Sequence, residues 1–406
     1  MFKPSPRTLP SIAAALAAFA APTAIAQQTT AEEDENVIVV TGVSIEESFQ
    51  ALQDCLARGC PPEEDIRLSL AHAENVFLEG GYDDAQDTLR GSIRRTKKHS
   101  DELPVPVSGL YRASARVAEH LGEGKDFQLA MLDMADTLQD GLGKDHWRTL
   151  VAEIAVGDSR AKLGVPDDAE RVYKRVERRA IGLGQPRIAM YAKLRQALLL
   201  QARHDSTKRD FWRKDAIELL EEIRDEPLAG GEEFALVADV MLARMDRLDG
   251  DESSTDALVQ RFAEQGGATK PVLLYSAPLY RDEDLDQIES TANSASSRLS
   301  TLSRNEPQWA DIGFFINSAG LVEDFEVLRA EGDTAWIEQV KAHIESRRYA
   351  PVSDEAATPG FYQIERYTLT ARFANQTTGT RLRKREPVAR IERLDITPEN
   401  YDQTPS

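Results

Sequence analysis

The chain has 406 residues, a length that suggests two or three domains. Hydrophobic residues make up 41% of it and charged residues 29%, which is the composition of a globular protein. Its formal net charge of -20 would repel phosphate, so nucleic acid and anionic membranes are poor partners. Beyond residue 30, no apolar run is long enough for a transmembrane helix.

Residues 1–26 have the pattern of a signal peptide. A positively charged start is followed by the alanine-rich apolar stretch Ser11–Ala21 and by a small-x-small cleavage site at Ala24–Ala26. We expect the mature chain to begin at Gln27, in the periplasm, with a polar and acidic leader over residues 27–44. The alternative is an uncleaved segment that anchors the protein in the inner membrane, facing the periplasm.

The sequence contains two cysteines, Cys55 and Cys60. An even number of cysteines in an oxidising compartment predicts a disulfide between them. Their spacing is not the C-x-x-C of redox enzymes, and two ligands without a histidine at the usual spacing are too few for zinc. Reduced thiols near a helix end are the alternative. We therefore expect neither a metal nor a cofactor.

From residue 45 to residue 265 the hydrophobic pattern is helical. A turn followed by a helix with a small alanine recurs along this segment, at Ala85, Ala130, Ala169 and Ala216. The unit resembles a divergent tetratricopeptide repeat, although its spacing of 45, 39 and 47 residues is irregular. The resemblance implies a helical solenoid that binds peptides or proteins, and an irregular helical bundle is the alternative.

After Gly266-Gly267 the pattern becomes mixed, so the chain as a whole is expected to be α+β. The predicted elements are a strand at 272–275, an exposed helix at 282–298, a strand at 312–316, a hairpin turn at 317–320, a return strand to 328, a helix at 335–348 and a strand at 362–373. The polar residues that follow, 375–406, are predicted to be a disordered tail.

The segment 268–374 resembles the TonB carboxy-terminal domain. Residues 314–328 are similar to its hairpin, residues 331–333 to the entry of its helix, and Arg347–Pro351 to the exit. The resemblance implies a small sheet whose edge accepts an extended peptide. It departs from the TonB energy transducer because the Pro-rich linker is missing and no histidine occurs before His72.

The leader carries a second resemblance, since residues 35–42 are similar to the TonB box of outer-membrane receptors. Its centre is an apolar strand of β-branched residues suited to adding to a sheet edge: Val37, Ile38, Val39 and Val40. We expect these four residues to bind a partner, which would be TonB, the sheet of the same chain or that of a second copy. An ordinary first strand or a sticky leader remnant is the alternative.

No catalytic motif is present: the six histidines are scattered, and neither a phosphate loop nor G-x-S-x-G occurs. We therefore expect a periplasmic protein-interaction module, not an enzyme, that binds proteins or extended peptides and acts as an accessory to TonB-dependent outer-membrane transport. The expected partners are TonB-dependent receptors or TonB components, with no nucleic acid and no small-molecule substrate. The alternatives are a membrane-anchored energy transducer and an enzyme of unknown chemistry.

Overall fold

A computed structural model describes residues 43–279, 308–353, 361–377 and 383–397. The expected signal peptide, the strand Val37–Val40 and the predicted exposed helix at 282–298 lie outside these residues. Within the part described, no helix has both the length and the hydrophobicity that a membrane span requires.

Residues 45–264 form a run of helices joined by short turns. The helices are α1 (Ile45–Arg58), α2 (Pro62–Leu78), α3 (Tyr82–Thr96), α4 (Pro104–His120), α5 (Gly124–Leu142), α6 (Trp147–Lys162), α7 (Pro166–Gly182), α8 (Pro186–Thr207), α9 (Asp210–Asp225), α10 (Glu233–Leu248) and α11 (Ser253–Glu264). Each helix packs against the next, and α2 also contacts α4, α6 contacts α8, and α8 contacts α10. The even-numbered helices therefore form one layer of the array.

Local sequence signals set the helix boundaries. Ser44 and Glu47 form a capping box that begins α1, with the Ser44 hydroxyl accepting from the Glu47 N–H. Proline stands at the first position of α2, α4, α7 and α8, where its missing N–H costs nothing. Gly80 follows the end of α2 with φ +86°, a conformation that glycine adopts without strain.

Small residues let the helices approach closely, as the sequence predicts. The four repeated alanines at 85, 130, 169 and 216 are all buried in the clusters of apolar side chains between helices. Gly157 of α6 lies so close to α7 that a Cβ there would stand 2.5 Å from the Tyr173 ring.

The described residues of the carboxy-terminal part form two antiparallel sheets and one helix. The elements are β1 (Leu273–Tyr275), β2 (Gln308–Ile316), β3 (Val322–Glu331), α12 (Ile337–Glu345), β4 (Arg348–Tyr349), β5 (Phe361–Thr377) and β6 (Arg383–Asp395). β1 pairs with β4, and the larger sheet has the order β3-β2-β5-β6. One face of the larger sheet packs on α12 through side chains of β2 and of the helix, among them Ile312, Phe314, Val340 and Ile344.

The strand–turn–strand–helix–strand order agrees with the sequence prediction, although several boundaries differ. β2 begins at Gln308 instead of residue 312, and β3 continues to Glu331 instead of ending at 328. The helix is shorter than the predicted 335–348, since it runs from Ile337 to Glu345 and is followed by β4. Asp333 still holds the helix entry, since its carboxylate accepts from the Ala335 N–H at 3.0 Å. The last predicted strand continues past Phe373 to Thr377.

The predicted disordered tail is wrong over Arg383–Asp395, which is strand β6. This strand pairs with β5 along its whole length, from Arg383 opposite Thr377 to Asp395 opposite Glu365. Its polar composition suggested disorder. In the structure, however, Ile391 packs in the apolar cluster between the larger sheet and α12, and Leu394 packs against the helical array. The strand is stable because β5 satisfies its backbone groups, a partner that composition alone does not reveal.

Candidate functional site

The face of the larger sheet opposite α12 contacts the carboxy-terminal end of α2. At its centre is Arg366 of β5, which is fully buried and donates to the carbonyl oxygens of Phe77 and Leu78. These carbonyls end a helix and have no partner within it, and the helix dipole favours a cation there. The Arg366 guanidinium also lies 4.0 Å from the centre of the Trp309 ring. Arg366 therefore ties the sheet to the helical array.

Asp311 of β2 balances this buried charge. Its carboxylate accepts from Arg366 Nε at 2.6 Å and Nη2 at 2.8 Å, and from Arg329 Nη2 at 2.7 Å. Arg329 in turn reaches α2, where it pairs with Glu79 at 2.8 Å. Two arginines and two carboxylates thus neutralise one another where the sheet meets the helix. We call Asp311, Arg329, Arg366 and Glu79 the docking cluster.

A buried polar chain lies beside the docking cluster. Thr368 Oγ1 lies 3.1 Å from the Tyr82 hydroxyl and 2.8 Å from His120 Nδ1, which joins β5 to α3 and α4. Burial, together with the nearby cations of Arg116 and Arg366, lowers the pKa of His120 to about 3. His120 is therefore neutral at physiological pH and serves as a hydrogen-bonding group of the interface.

Further contacts extend the attachment along the array. Arg390 of β6 donates to Glu119 of α4 at 3.2 Å, and Lys162 of α6 lies near both Glu119 and Glu392. Arg244 of α10 donates to the β1 backbone, at the carbonyls of Leu273 and Leu274. The sheets are thus held at several points between α2 and α10.

The helix exit that resembles the TonB motif has a structural role. Arg347 is buried and donates to Glu365 at 3.0 and 2.8 Å and to the Tyr367 hydroxyl at 2.8 Å. Although burial opposes ionisation, the hydrogen bonds and the charge of Arg347 lower the pKa of Glu365. The pair fixes the end of α12 to β5, on the face away from the helical array.

The two edge strands of the larger sheet are β6 and β3. β6 pairs with β5 on one side, and among the described residues no strand pairs with its outer edge. The other outer strand, β3, pairs only with β2 among the described residues, but it has two register irregularities and a left-handed residue at Asp324 (φ +53°). Acidic side chains also line it, at Glu323, Asp324 and Glu326. Bulges and charges are features that protect an edge strand from pairing.

An open groove of about 360 Å³ lies between the first halves of α4 and α6, away from the docking cluster. Its walls include Val105, Gly109 and Arg112 of α4 and Trp147, Arg148 and Val151 of α6. Among the residues that the structure describes, none with an acidic side chain lines it. The Trp147 side chain is 49% exposed and Val105 is 39% exposed, so apolar surface faces solvent here. We call this feature the α4/α6 groove.

The two cysteines predicted to be bridged form a disulfide in the structure, with Cα atoms 5.1 Å apart. The Glu64 carboxylate lies within 4.8 Å of both sulfur atoms. Sulfurs bonded to each other are not thiolates, however, so this group does not have the chemistry of a metal site. The predicted partner-binding residues Val37–Val40 lie outside the described residues, and their role stays a prediction.

Neither the docking cluster nor the α4/α6 groove was predicted from the sequence. A partial signal existed for the cluster, because the charged Asp311 interrupts the largely apolar strand β2. The groove had none, since Arg112 and Trp147 belong to different helices and each looks like an ordinary surface residue.

The fold and these contacts define a helical-array protein that carries its own carboxy-terminal sheet. Among solved structures, the chain is similar to a kinesin light chain from Podosopora anserina with nearly identical TPR-like repeats, at 17% identity over 45% of this chain and 84% of that chain, with a TM-score of 0.37. It is also similar to BtubC (BKLC) from P. vanneervenii, at 15% identity over 59% of this chain and 97% of that chain, with a TM-score of 0.39.

No protein-family model matches the sequence, and no curated protein matches it either. Structural likeness at these scores defines neither a partner nor an activity.

Proposed function

We propose that the chain is a protein-interaction module that binds a partner segment in the α4/α6 groove. The observation that carries the proposal is the position of the groove on α4 and α6. The sheet contacts the last turns of these helices, at Glu119, His120 and Lys162, whereas the groove lies at their first turns. A partner in the groove would therefore leave the docked sheet in place.

The groove is open to solvent, so a segment of a partner protein can enter it. Gly109 is part of its wall, and among the described residues an added Cβ there would meet nothing closer than Leu70 Cδ1 at 4.0 Å. Exposed apolar surface in such a groove is typical of an interaction site. We propose binding as the activity, with no chemical step.

Site-directed photo-crosslinking tests this function. A photoreactive phenylalanine in place of Val105, an exposed residue of the groove wall, should give covalent adducts with a partner in cells that produce the protein. The same residue at Arg178, which is exposed on α7, is the matched control and should not give those adducts. Identical products from both positions would contradict a groove-specific partner.

We also propose that the protein acts in the periplasm. The signal-peptide pattern of residues 1–26 and the disulfide between Cys55 and Cys60 support this location, since disulfides persist in oxidising compartments. Cell fractionation tests it. A periplasmic protein is released in soluble form when the outer membrane is opened, whereas an anchored transducer remains with the inner membrane.

An accessory role in TonB-dependent transport is a second candidate. It is supported by the order β2, turn, β3, α12 and β5, which agrees with the order implied by the TonB resemblance. A labelled peptide of residues 35–42 should then bind the full chain. The same peptide with Val39→Pro should bind more weakly, because proline lacks the backbone N–H that would donate to the neighbouring strand. Equal binding of the two peptides would count against strand addition.

A further inference from the structure

We infer that the α4/α6 groove selects an acidic segment of a partner protein, with carboxylates on Arg112 and Arg148 and a neighbouring apolar side chain against Trp147 and Val105. This inference rests on the proposed function and specifies the chemistry of the partner. It is carried by the charge of the groove, by the stacking of Arg148 on Trp147, and by the apolar surface between the two arginines.

The two arginines are available to a ligand. Both are exposed, and within the described part of the chain neither has a carboxylate within 4 Å. The cleft along α9, by contrast, is lined by Arg213 and Lys214, whose charges are paired within the chain by Asp249 and Glu218. The α4/α6 groove is thus a local positive site on a chain with a net charge of -20.

The stack of Arg148 on Trp147 suits a carboxylate ligand. The guanidinium carbon lies 4.4 Å from the centre of the indole ring. Stacking occupies one face of the guanidinium and leaves the N–H groups on its edge free to donate to both oxygens of a planar carboxylate. The ring also shields one side of this contact from water, which strengthens its electrostatic attraction.

The ligand needs an apolar part as well as carboxylates. Trp147, Val105 and Val151 line the same groove, and burying their exposed surface would contribute favourable free energy that a purely acidic segment does not gain. A second copy of the chain is a poorer occupant, because two bodies of charge -20 repel each other. A different protein with an acidic and apolar segment fits better.

Fluorescence anisotropy with designed peptides tests the inference on the full-length chain. The first probe is a short labelled peptide in which glutamates flank one phenylalanine. In the second probe glutamine replaces each glutamate, and in the third lysine does. We expect the acidic peptide to bind at least tenfold more tightly than either of the others.

The double variant Arg112→Glu/Arg148→Glu should weaken binding of the acidic peptide at least tenfold and improve binding of the lysine peptide. The matched control is Arg94→Glu/Arg178→Glu, which changes the net charge equally at exposed positions on α3 and α7. It should leave the preference for acid unchanged. The variant Gly109→Phe fills the groove without changing charge and should weaken binding of every peptide.

Several results would overturn the inference. Equal affinity for the three peptides, no measurable binding of the acidic one, or equal effects of the two charge-reversal variants would each do so. A dimer that dissociates on reversal of Arg112 and Arg148 would identify a second copy as the occupant and reject the proposed partner. If crosslinks from position 105 persist while the acidic peptide shows no preferential binding, the interaction function survives and the acidic partner does not.

Discussion

The carboxylate of Asp311 and the guanidinium of Arg366 form a two-point ion pair, at 2.6 and 2.8 Å, across neighbouring strands of the larger sheet. Both side chains are almost completely removed from solvent. The remaining N–H groups of Arg366 bond to the last carbonyls of α2. One side chain therefore links β2, β5 and the helical array.

Arg366→Met should destabilise the protein by about 3–5 kcal/mol, because it leaves Asp311 and two helix carbonyls buried with fewer partners. The double change Asp311→Leu/Arg366→Met should recover part of this loss, since it removes the buried charge as well. Arg178→Met, an exposed control on α7, should change stability by less than about 0.5 kcal/mol.

Denaturant unfolding followed by circular dichroism measures these differences. If Arg366→Met unfolds at the same denaturant concentration as the parent, the docking cluster does not hold the sheet to the array. If the double variant is less stable than Arg366→Met, buried charge is not the main cost of the single change.

His120 predicts a loss of stability in mild acid. The folded protein keeps its pKa at about 3, below the usual value of 6.5, so between these values the unfolded chain binds more protons than the folded one. Stability then falls as pH decreases through this window, by about 1.4 kcal/mol per pH unit for one histidine. Burial lowers the pKa of His343 to about 4, which adds a second dependence of the same sign.

His120→Gln removes one of these titrating groups while keeping a side chain that bonds to Thr368. The slope of unfolding free energy against pH should therefore fall by roughly a third to a half between about pH 6 and about pH 5. The contributions of His343 and of His72, whose pKa is also lowered by burial, remain. Chemical unfolding at several pH values gives the slope. An unchanged slope would mean that His120 titrates alike in the folded and unfolded states.

Alanine substitutions at Gly320 and Gly164 distinguish the cost of a steric conflict from the cost of backbone strain, because both glycines have φ +76°. At Gly320 an added Cβ would stand 2.2 Å from the Tyr349 carbonyl oxygen, whereas at Gly164 nothing lies within 4 Å. Gly164→Ala should cost about 1 kcal/mol from the left-handed backbone alone. Gly320→Ala should cost at least about 2 kcal/mol more, because the hairpin and β4 must separate. Thermal unfolding of the pair measures the difference, and equal costs would show that the hairpin moves freely away from β4.

Cys55 and Cys60 should resist alkylation in protein exported by its normal route. Under denaturing conditions without reductant, mass spectrometry should find neither cysteine labelled, while the Cys55→Ser variant should be labelled at Cys60. Losing a disulfide that closes so short a loop should cost about 2 kcal/mol of stability. Labelling of both cysteines in the parent protein would reject the bridge.

Export predicts the amino terminus of the mature chain. Protein purified from its own cells should begin at Gln27, because signal peptidase cleaves after small residues such as Ala24 and Ala26. Amino-terminal sequencing gives the answer directly. A chain that begins at Met1 would favour the membrane-anchored alternative.

Local sequence signals were sufficient to predict the helical array and the β-hairpin. The Pro62 start and the Gly80 end act within a few residues of the helix they delimit, so their effect does not depend on the rest of the fold. The turn at 317–320 is equally local, since the Asn317 side chain accepts from the Leu321 N–H at 2.9 Å.

Tertiary structure alone decided the last strand, the docking cluster and the groove. The polar sequence of β6 becomes a strand because Arg390 finds Glu119, 271 positions away, and because β5 supplies backbone partners. Arg366 meets a helix end 288 positions away. Interactions between such distant residues leave no periodic signal in the sequence, because only the packed chain brings the partners together.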